Sequence, residues 1–556
     1  MTNLDPIIER VNETLKKLTG YPLNDAQKEA LMKILDKPRG IVQMPTGSGK
    51  TRLAAAFIWA LYYLRFIGNG DIILYFSPRV VIREQTFDEF RGSLAVGSAN
   101  SPFDVDTVKP TMIAKAIKWL NYYLTKGPLP SKIGVYILTP QLLNLYLKES
   151  GSSLDRFVRV KVIILDEVHH IYWGPEIAKK ITDLLRIDNI KFVLGLSATP
   201  VREAVNNVGN ILYSLSSSKA MEMGILVRKL KIYSTKTFTR IPEAYSKSDK
   251  WWDAVKDIDI QWKFAVIERA EKYAQEIVEK LGKEVGSLNQ RVPKTLVVAA
   301  NTKEADRLKE FLIKEIGNRG RENPENLVYV AHYKEDEPIE VINQFKAGKE
   351  GVLVTVNMAD LGFDDPDLEV LVIARPINTP VGYVQIRGRV LRKPKNSQNL
   401  KETRYALIID LTGAAEYEKH VEDVELGKYA QTIKSEELKR DLTGDGDVPE
   451  ISGEVKIGEY KIIEIPPTST PTNTSHRKSA YVKIIIDREE NTCMIEEFPA
   501  KLNFLLKKHY SVNMFQILFS PGLRQRIEDI IKENFPGWIS YTEMSREGIM
   551  VYKRKD

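Results

Sequence analysis

The residues Met44-Pro45-Thr46-Gly47-Ser48-Gly49-Lys50-Thr51 combine glycines, hydroxyls and a lysine at a spacing that suits a polyanion. Gly47 and Gly49 permit a sharp turn whose backbone N–H groups point inward. Thr46 and Ser48 complete the turn. Lys50 adds a point charge for β- and γ-phosphates, and the Thr51 hydroxyl is placed to ligate Mg²⁺. A surface turn that happens to hold a lysine would look similar, but the flanks argue against it. Gly40-Ile41-Val42-Gln43 reads as a strand, and Arg52 to Leu61 holds good helix formers with no breaker. Strand, glycine turn and helix form the setting that a phosphate-binding loop needs. Met44 departs from the general pattern, which has glycine there.

A second pair, Asp166-Glu167, follows the apolar run Val160 to Leu165. A carboxylate at the end of a strand beside a phosphate loop can hold Mg²⁺ through water, and a second can orient and deprotonate the attacking water. The bland alternative is a pair of acids capping the next helix.

The elements that would position these groups alternate. Apolar strands are expected at 71–76, 133–138, 160–165 and 192–196, with helical patterns between them. Each strand ends in a polar cluster: Ser77-Pro78-Arg79, Thr139-Pro140-Gln141, Asp166-Glu167-Val168-His169 and Ser197-Ala198-Thr199-Pro200. Alternating strands and helices imply a parallel α/β sheet, whose ligands sit at the carboxyl ends of the strands. Amphipathic helices precede it, over 4–18 and from Asn24 to Leu35; the second carries Gln27.

Composition narrows the setting. A chain of 556 residues with one cysteine, Cys493, has no internal disulfide and no multi-cysteine metal site, which suits a reducing cytoplasm. No apolar run approaches membrane-spanning length, and the first residues do not read as a signal peptide, so an intracellular protein is expected. The net charge of +7 permits a polyanionic partner.

In order, Gln27, MPTGSGKT (44–51), SPRVVIREQ (77–85), TPQLL (139–143), DEVH (166–169) and SATP (197–200) resemble the motifs of superfamily 2 helicases, in the DExH branch. TLVVAANTKEADRL (295–308), TVNMADLGFDDPDLEVLVIARP (355–376) and QIRGRVLR (385–392) are similar to that family's later motifs. In this family methionine at the position of Met44 is ordinary. The resemblance covers about residues 20–415 and is most like type III restriction-enzyme helicase subunits and repair helicases. It implies two tandem RecA-like parallel-sheet lobes, with ATP and Mg²⁺ as cofactors. It implies that Gln27 reads adenine, although the family's fuller pattern has an Arg and a Tyr nearby that Leu23-Asn24-Asp25-Ala26 lacks. Residues 46–51, with Gly362 and Asp364, would hold the nucleotide, and Asp166 and Glu167 would handle Mg²⁺ and water. Gln385, Arg389 and Arg392 would act from the second lobe, the arginines as fingers on the γ-phosphate. Ser197, Thr199 and His169 would couple hydrolysis to lobe movement. Pro78, Arg79, Thr139 and Thr355 would touch a sugar–phosphate backbone without reading sequence.

The expected organisation is an N-terminal helix (1–20), a first lobe (21–228), a helical insert (229–292), a second lobe (293–415), a charged helical linker (416–447) and an α+β accessory domain (448–556). Leu226 to Ser234 could be a strand leading out of the first lobe. Trp251, Trp252, Trp262 and Phe264 mark the insert, more as core residues than as a base-stacking surface. Asp441 to Ser452 imitates a calcium loop but lacks its acids at the third and twelfth positions. Strands are expected in the tail at 454–465, 479–486 and 548–553, with a helix from Leu523 to Asn534. The expected activity is a nucleic-acid-dependent ATPase that moves on DNA. Alternatives are an RNA helicase, a CRISPR-associated or antiviral motor subunit, and an ATP-switched sensor that moves nothing. The tail would serve partner or substrate choice, a protein partner among them.

Overall fold

The computed structural model describes most of residues 4–434, leaving out 79, 108–119, 125–130, 150–156, 240–258, 357–362 and scattered shorter stretches. Beyond 434 it describes the strands named below and little else. The expected helix over 523–534, the calcium-like stretch and both Trp251 and Trp252 lie outside the described residues, as do the side chains of Trp262 and Phe264.

Asp5–Thr19 (α1) buries Ile8, Val11 and Leu15, the apolar face of its pattern, and Gly20 ends it in the left-handed region at φ 83°. Asp25–Leu35 (α2) starts with a capping box. The Asn24 side chain accepts from the Gln27 N–H, and the Gln27 amide oxygen accepts from the Asn24 N–H.

The first sheet comprises β1 (Arg39–Gln43), β2 (Ile72–Phe76), β3 (Phe103–Thr107), β4 (Ile133–Leu138), β5 (Val160–Leu165), β6 (Phe192–Ser197) and β7 (Ile211–Ser214). Their order is β3-β4-β2-β5-β6-β1-β7. Every pairing is parallel. β2, β4 and β6 are buried along their whole length, which is why they read as unbroken apolar runs. Because all the strands run the same way, the loops leaving β1, β5 and β6 open at one edge. Lys50–Tyr63 (α3) leaves the first of these loops and is buried from Leu53 to Leu61. Val80–Ser93 (α4) covers the same sheet, with Phe90 edge-on to Tyr75 at 5.2 Å.

The second half of the chain holds β8 (Leu230–Ser234), β9 (Thr237–Thr239), β10 (Thr295–Val298), β11 (Val328–Ala331), β12 (Val352–Thr355), β13 (Val370–Ile373) and β14 (Ala406–Asp410). The tail adds β15 (Val455–Ile457), β16 (Lys461–Ile465), β17 (Tyr481–Asp487), β18 (Thr492–Glu496), β19 (Trp538–Glu543) and β20 (Ile549–Arg554). The second sheet runs β11-β12-β10-β13-β14-β8-β16, parallel except for β16. β17 to β20 form a separate antiparallel sheet.

Four segments differ from the sequence expectation. The strand expected within Leu226 to Ser234 is present as β8, but it is an interior strand of the second lobe, paired in register with Ala406 to Asp410. The helix Asp259–Val285 is the second lobe's own layer from Ala270 onward. There Ala270, Tyr273, Ile277 and Leu281 share a core with Leu308 and Leu312 of the helix Thr302–Asn318. β16, expected in the accessory domain, instead pairs antiparallel with β8. An apolar strand or helix face states that it will be buried but not against which partner.

Residues 414–425, expected as the start of a charged helical linker, form a 3₁₀ stretch (Ala414–His420) and a short helix (Val421–Glu425) that return to the first lobe as a strap. No helix among the described residues is long and apolar enough to cross a membrane.

Candidate active site

At the end of β1, Gly47 and Gly49 both take positive φ, 85° and 86°, so the turn between strand and helix is one that glycine alone adopts without strain. The Ser48 hydroxyl donates to the Pro45 carbonyl at 2.7 Å, closing the turn on itself. Lys50 is the first residue of α3, and its ammonium donates to the Met44 carbonyl at 3.1 Å. This folds the charge back over the loop. Thr51 follows it, half-buried. The orphan N–H groups of the α3 N-terminus face the same space, which favours an anion.

β5 delivers Asp166, whose N–H donates to the Phe76 carbonyl of β2 at 2.9 Å. Glu167 is held at φ 41°, a conformation rare for a residue with a side chain. Its carboxylate lies 3.6 Å from the Lys50 ammonium. The two acids are pushed apart. Burial, and then Glu167, raise Asp166 above the usual carboxylate range. Burial also opposes the charge on Glu167, but the Lys50 ammonium, with Arg389 behind it, outweighs it and brings Glu167 below its usual value.

His169 is wholly buried, and burial drives its pKa to about 4, so it is neutral at physiological pH. Its Nδ1 meets the Ser197 hydroxyl at 2.8 Å, and the Thr199 N–H donates to that hydroxyl oxygen at 3.0 Å. The Gln385 amide of the second lobe then donates to the Thr199 hydroxyl. A hydrogen-bonded path thus runs from His169 through Ser197 and Thr199 to Gln385, and a Glu167 carboxylate oxygen lies 3.5 Å from the His169 end of it.

The second lobe closes on this edge through the helix Pro380–Arg387 and the residues after it. Arg389 donates to the Phe363 carbonyl at 2.9 Å. Arg392 lies across the phosphate loop: a Cβ on Gly47 would sit 2.5 Å from its Cγ. Burial lowers the Arg392 pKa to about 10, with Glu167 pulling the other way. Gly388 approaches Thr46 so closely that its Cβ would stand 3.1 Å from that of Thr46.

The residues present fit a triphosphate with a divalent cation. Two glycines make a cradle that any Cβ would fill, two carboxylates stand at a strand end, and three cations face them from two lobes.

Gln27 reaches this site in a way its sequence position did not reveal. Its amide nitrogen donates to the Gly49 carbonyl at 3.1 Å while its oxygen caps α2. Pro78, Thr139 and Thr355 stand at the carboxyl ends of β2, β4 and β12, but all three are buried, Thr355 completely. Arg79, Gly362 and Asp364 lie outside the described residues.

The strap supplies residues that motif reading missed. Gln43, at the end of β1, donates to the Ala198 carbonyl at 3.1 Å and to the Val424 carbonyl at 2.8 Å. Arg387 donates to the Ser217 hydroxyl at 3.0 Å and pairs with Glu418 at 2.7 Å. The Ser217 N–H donates to Glu425 at 2.6 Å. A buried network therefore ties the second lobe, the strap and the first lobe together within two residues of Gln385 and Arg389. A glutamine closing an otherwise apolar strand, Gly-Ile-Val-Gln, was the one signal of it in the sequence.

Comparison with known proteins agrees with this architecture. Residues 20–202 match the family model for the type III restriction enzyme res subunit, and residues 276–394 match that for the helicase conserved C-terminal domain. The DNA 3'-5' translocase XPB2 of Sulfurisphaera tokodaii is 24% identical over 417 residues, 71% of this chain and 83% of that protein. The ATP-dependent RNA helicase DHX58 of Mus musculus is 28% identical over 186 residues, 32% of this chain and 25% of that protein. Among solved structures, a DEAD-box helicase bound to single-stranded RNA aligns with a TM-score of 0.51 at 16% identity, over 80% of this chain and 82% of that one, a likeness of fold. With both helicase domains in order around a site closed by two lobes, the chain belongs to superfamily 2 of the ATP-dependent nucleic-acid helicases and translocases.

Proposed function

We propose that this chain is a motor on DNA that hydrolyses Mg-ATP between its lobes and shifts its grip on the strand as they close and open. The observation that carries the reading is the seat of Arg392 on Gly47, which makes a second-lobe cation part of a first-lobe phosphate loop. Lys50 and the α3 N-terminus hold the β- and γ-phosphates. Thr51 and Asp166 would hold Mg²⁺, which would supply positive charge against the phosphates. Glu167 accepts the proton of the attacking water. Arg389 and Arg392 complete the charge balance only when the lobes meet, so hydrolysis depends on closure. The path from His169 through Ser197 and Thr199 to Gln385 carries the state of Glu167 to the second lobe. Gln27 meets adenine, while Pro78, Arg79, Thr139 and Thr355 line the backbone path, a role for which Pro78, Thr139 and Thr355, buried in this structure, must become exposed. The sheet of β17 to β20 chooses a protein partner.

DNA is favoured because the relative matched over most of its length is named as a DNA translocase, and the first-lobe model is that of a restriction enzyme. RNA is the second reading, since one relative is named as an RNA helicase. The test is ATPase rate against single-stranded DNA, duplex DNA and RNA at one stated salt concentration, because phosphate-driven binding is salt-dependent. Stimulation by DNA is expected, and Lys50→Ala should abolish it. Stimulation by RNA alone would overturn the choice of DNA; undiminished turnover in Lys50→Ala would overturn the site.

A further inference from the structure

β2 is apolar from Ile72 to Phe76 apart from one group, the hydroxyl of Tyr75. Tyr75 pairs in register with Ile164 of β5, and Asp166 lies two residues beyond Ile164. Alternation along β5 therefore directs Asp166 toward the sheet face that Tyr75 shares, the face on which Phe90 meets the Tyr75 ring. The phenol oxygen is wholly buried and lies against the Asp166 carboxylate and the Thr51 and Thr86 hydroxyls. With none of them does it make a well-formed hydrogen bond among the described residues. Burial, and then Asp166, hold its proton on far above the ordinary range, so it can only act as a neutral donor and acceptor.

A buried hydroxyl whose contacts fall short of good hydrogen-bond geometry adds little to a fold, and phenylalanine would fill the same space without having to bury it. The hydroxyl is aimed at the two side chains assigned to the cation, Thr51 and Asp166. Groups that orient a metal's ligands commonly look this way: they do not touch the ion, yet they fix the ligands that do.

We propose that Tyr75 is a positioning residue of the nucleotide site, its hydroxyl orienting Asp166 and the water shell of a divalent cation held between Asp166 and Thr51. The proposal rests on the reading of that pair as the cation site. Tyr75 would then lower the Mg²⁺ concentration needed to bind nucleotide, at the expense of the ligand-free fold.

The test is Tyr75→Phe in the full chain, with binding of a fluorescent ADP analogue titrated against Mg²⁺ and, separately, in chelator. The half-saturating Mg²⁺ concentration is expected to rise on the order of tenfold. Metal-free nucleotide affinity should stay the same, and the ligand-free melting temperature should hold or rise. An unchanged Mg²⁺ requirement overturns the proposal. So does an equal loss of affinity with and without Mg²⁺ together with a lower melting temperature, which would make Tyr75 a core residue only. Asp166→Ala separates the two levels of the argument. If it keeps the wild-type Mg²⁺ dependence, the cation reading itself fails; if it loses that dependence while Tyr75→Phe does not, only the role of Tyr75 fails.

Discussion

The two halves of the nucleotide site are built by opposite means. The first-lobe half is local: Gly47, Ser48 and Gly49 fold onto Pro45 and Met44, and α3 begins at once. Its shape is set by a few consecutive residues. The second-lobe half is held at a distance. Arg389 leans on Phe363, and Arg387, two residues earlier, is fixed by Glu418 of the strap and Ser217 of the first lobe. One half is ready before the lobes meet; the other exists only because they do. Binding and turnover can therefore be damaged separately.

The largest expected effect falls on the distant half. Arg392→Ala or Arg389→Ala should lower the ATPase kcat on the order of a thousandfold while leaving nucleotide affinity within a few-fold. Equal losses in both quantities would show that the arginines bind the ground state as tightly as the transition state. A smaller effect joins the two halves. Gly47→Ala puts a Cβ against Arg392 at a backbone angle that disfavours it, and activity should fall roughly ten- to hundredfold. In an Arg392→Ala background the same change should cost distinctly less, because one source of conflict is gone; strict additivity would mean the arginine does not press on the loop.

The smallest effect concerns the strap. Burial raises the Glu425 pKa to about 7 although Arg387 opposes this, so the folded chain holds a proton that the unfolded chain releases near a glutamate's ordinary value of 4.5. That contribution to stability is complete below the lower value and disappears as pH rises through the higher one. The melting temperature of Glu425→Gln should therefore vary less than that of the wild type between those two pH values. A parallel decline in both proteins would mean that Glu425 is not the titrating group.

The same contrast explains what the sequence could reveal. The phosphate loop, Asp166-Glu167 and the Ser197 to Pro200 cluster were legible because each sits where a buried strand stops and polar residues begin. The first-lobe sheet followed from that rhythm. The seat of β8 in the second sheet was not legible, since Leu230-Lys231-Ile232-Tyr233 would suit either lobe and its partner β14 lies far along the chain. The left-handed backbone of Glu167 carries no mark in a glutamate. Gln27 shows how one residue can satisfy two readings at once: it caps its own helix and reaches the phosphate loop. The strap misled because its charges suggested a solvated face, whereas Glu425 is almost fully buried against the first lobe. Charge predicts exposure until another charge is brought up to meet it.

The antiparallel strand that the tail lends to the second sheet has a practical consequence. β8 has β14 on one side and β16 on the other, so its backbone hydrogen-bonding groups are covered from both directions. A chain ended after the last helicase motif would lose Lys461–Ile465 and leave β8 as an open edge, ready to pair with another molecule. Such a truncated protein should aggregate even with every catalytic residue in place, because the tail begins by finishing the sheet that the motor stands on.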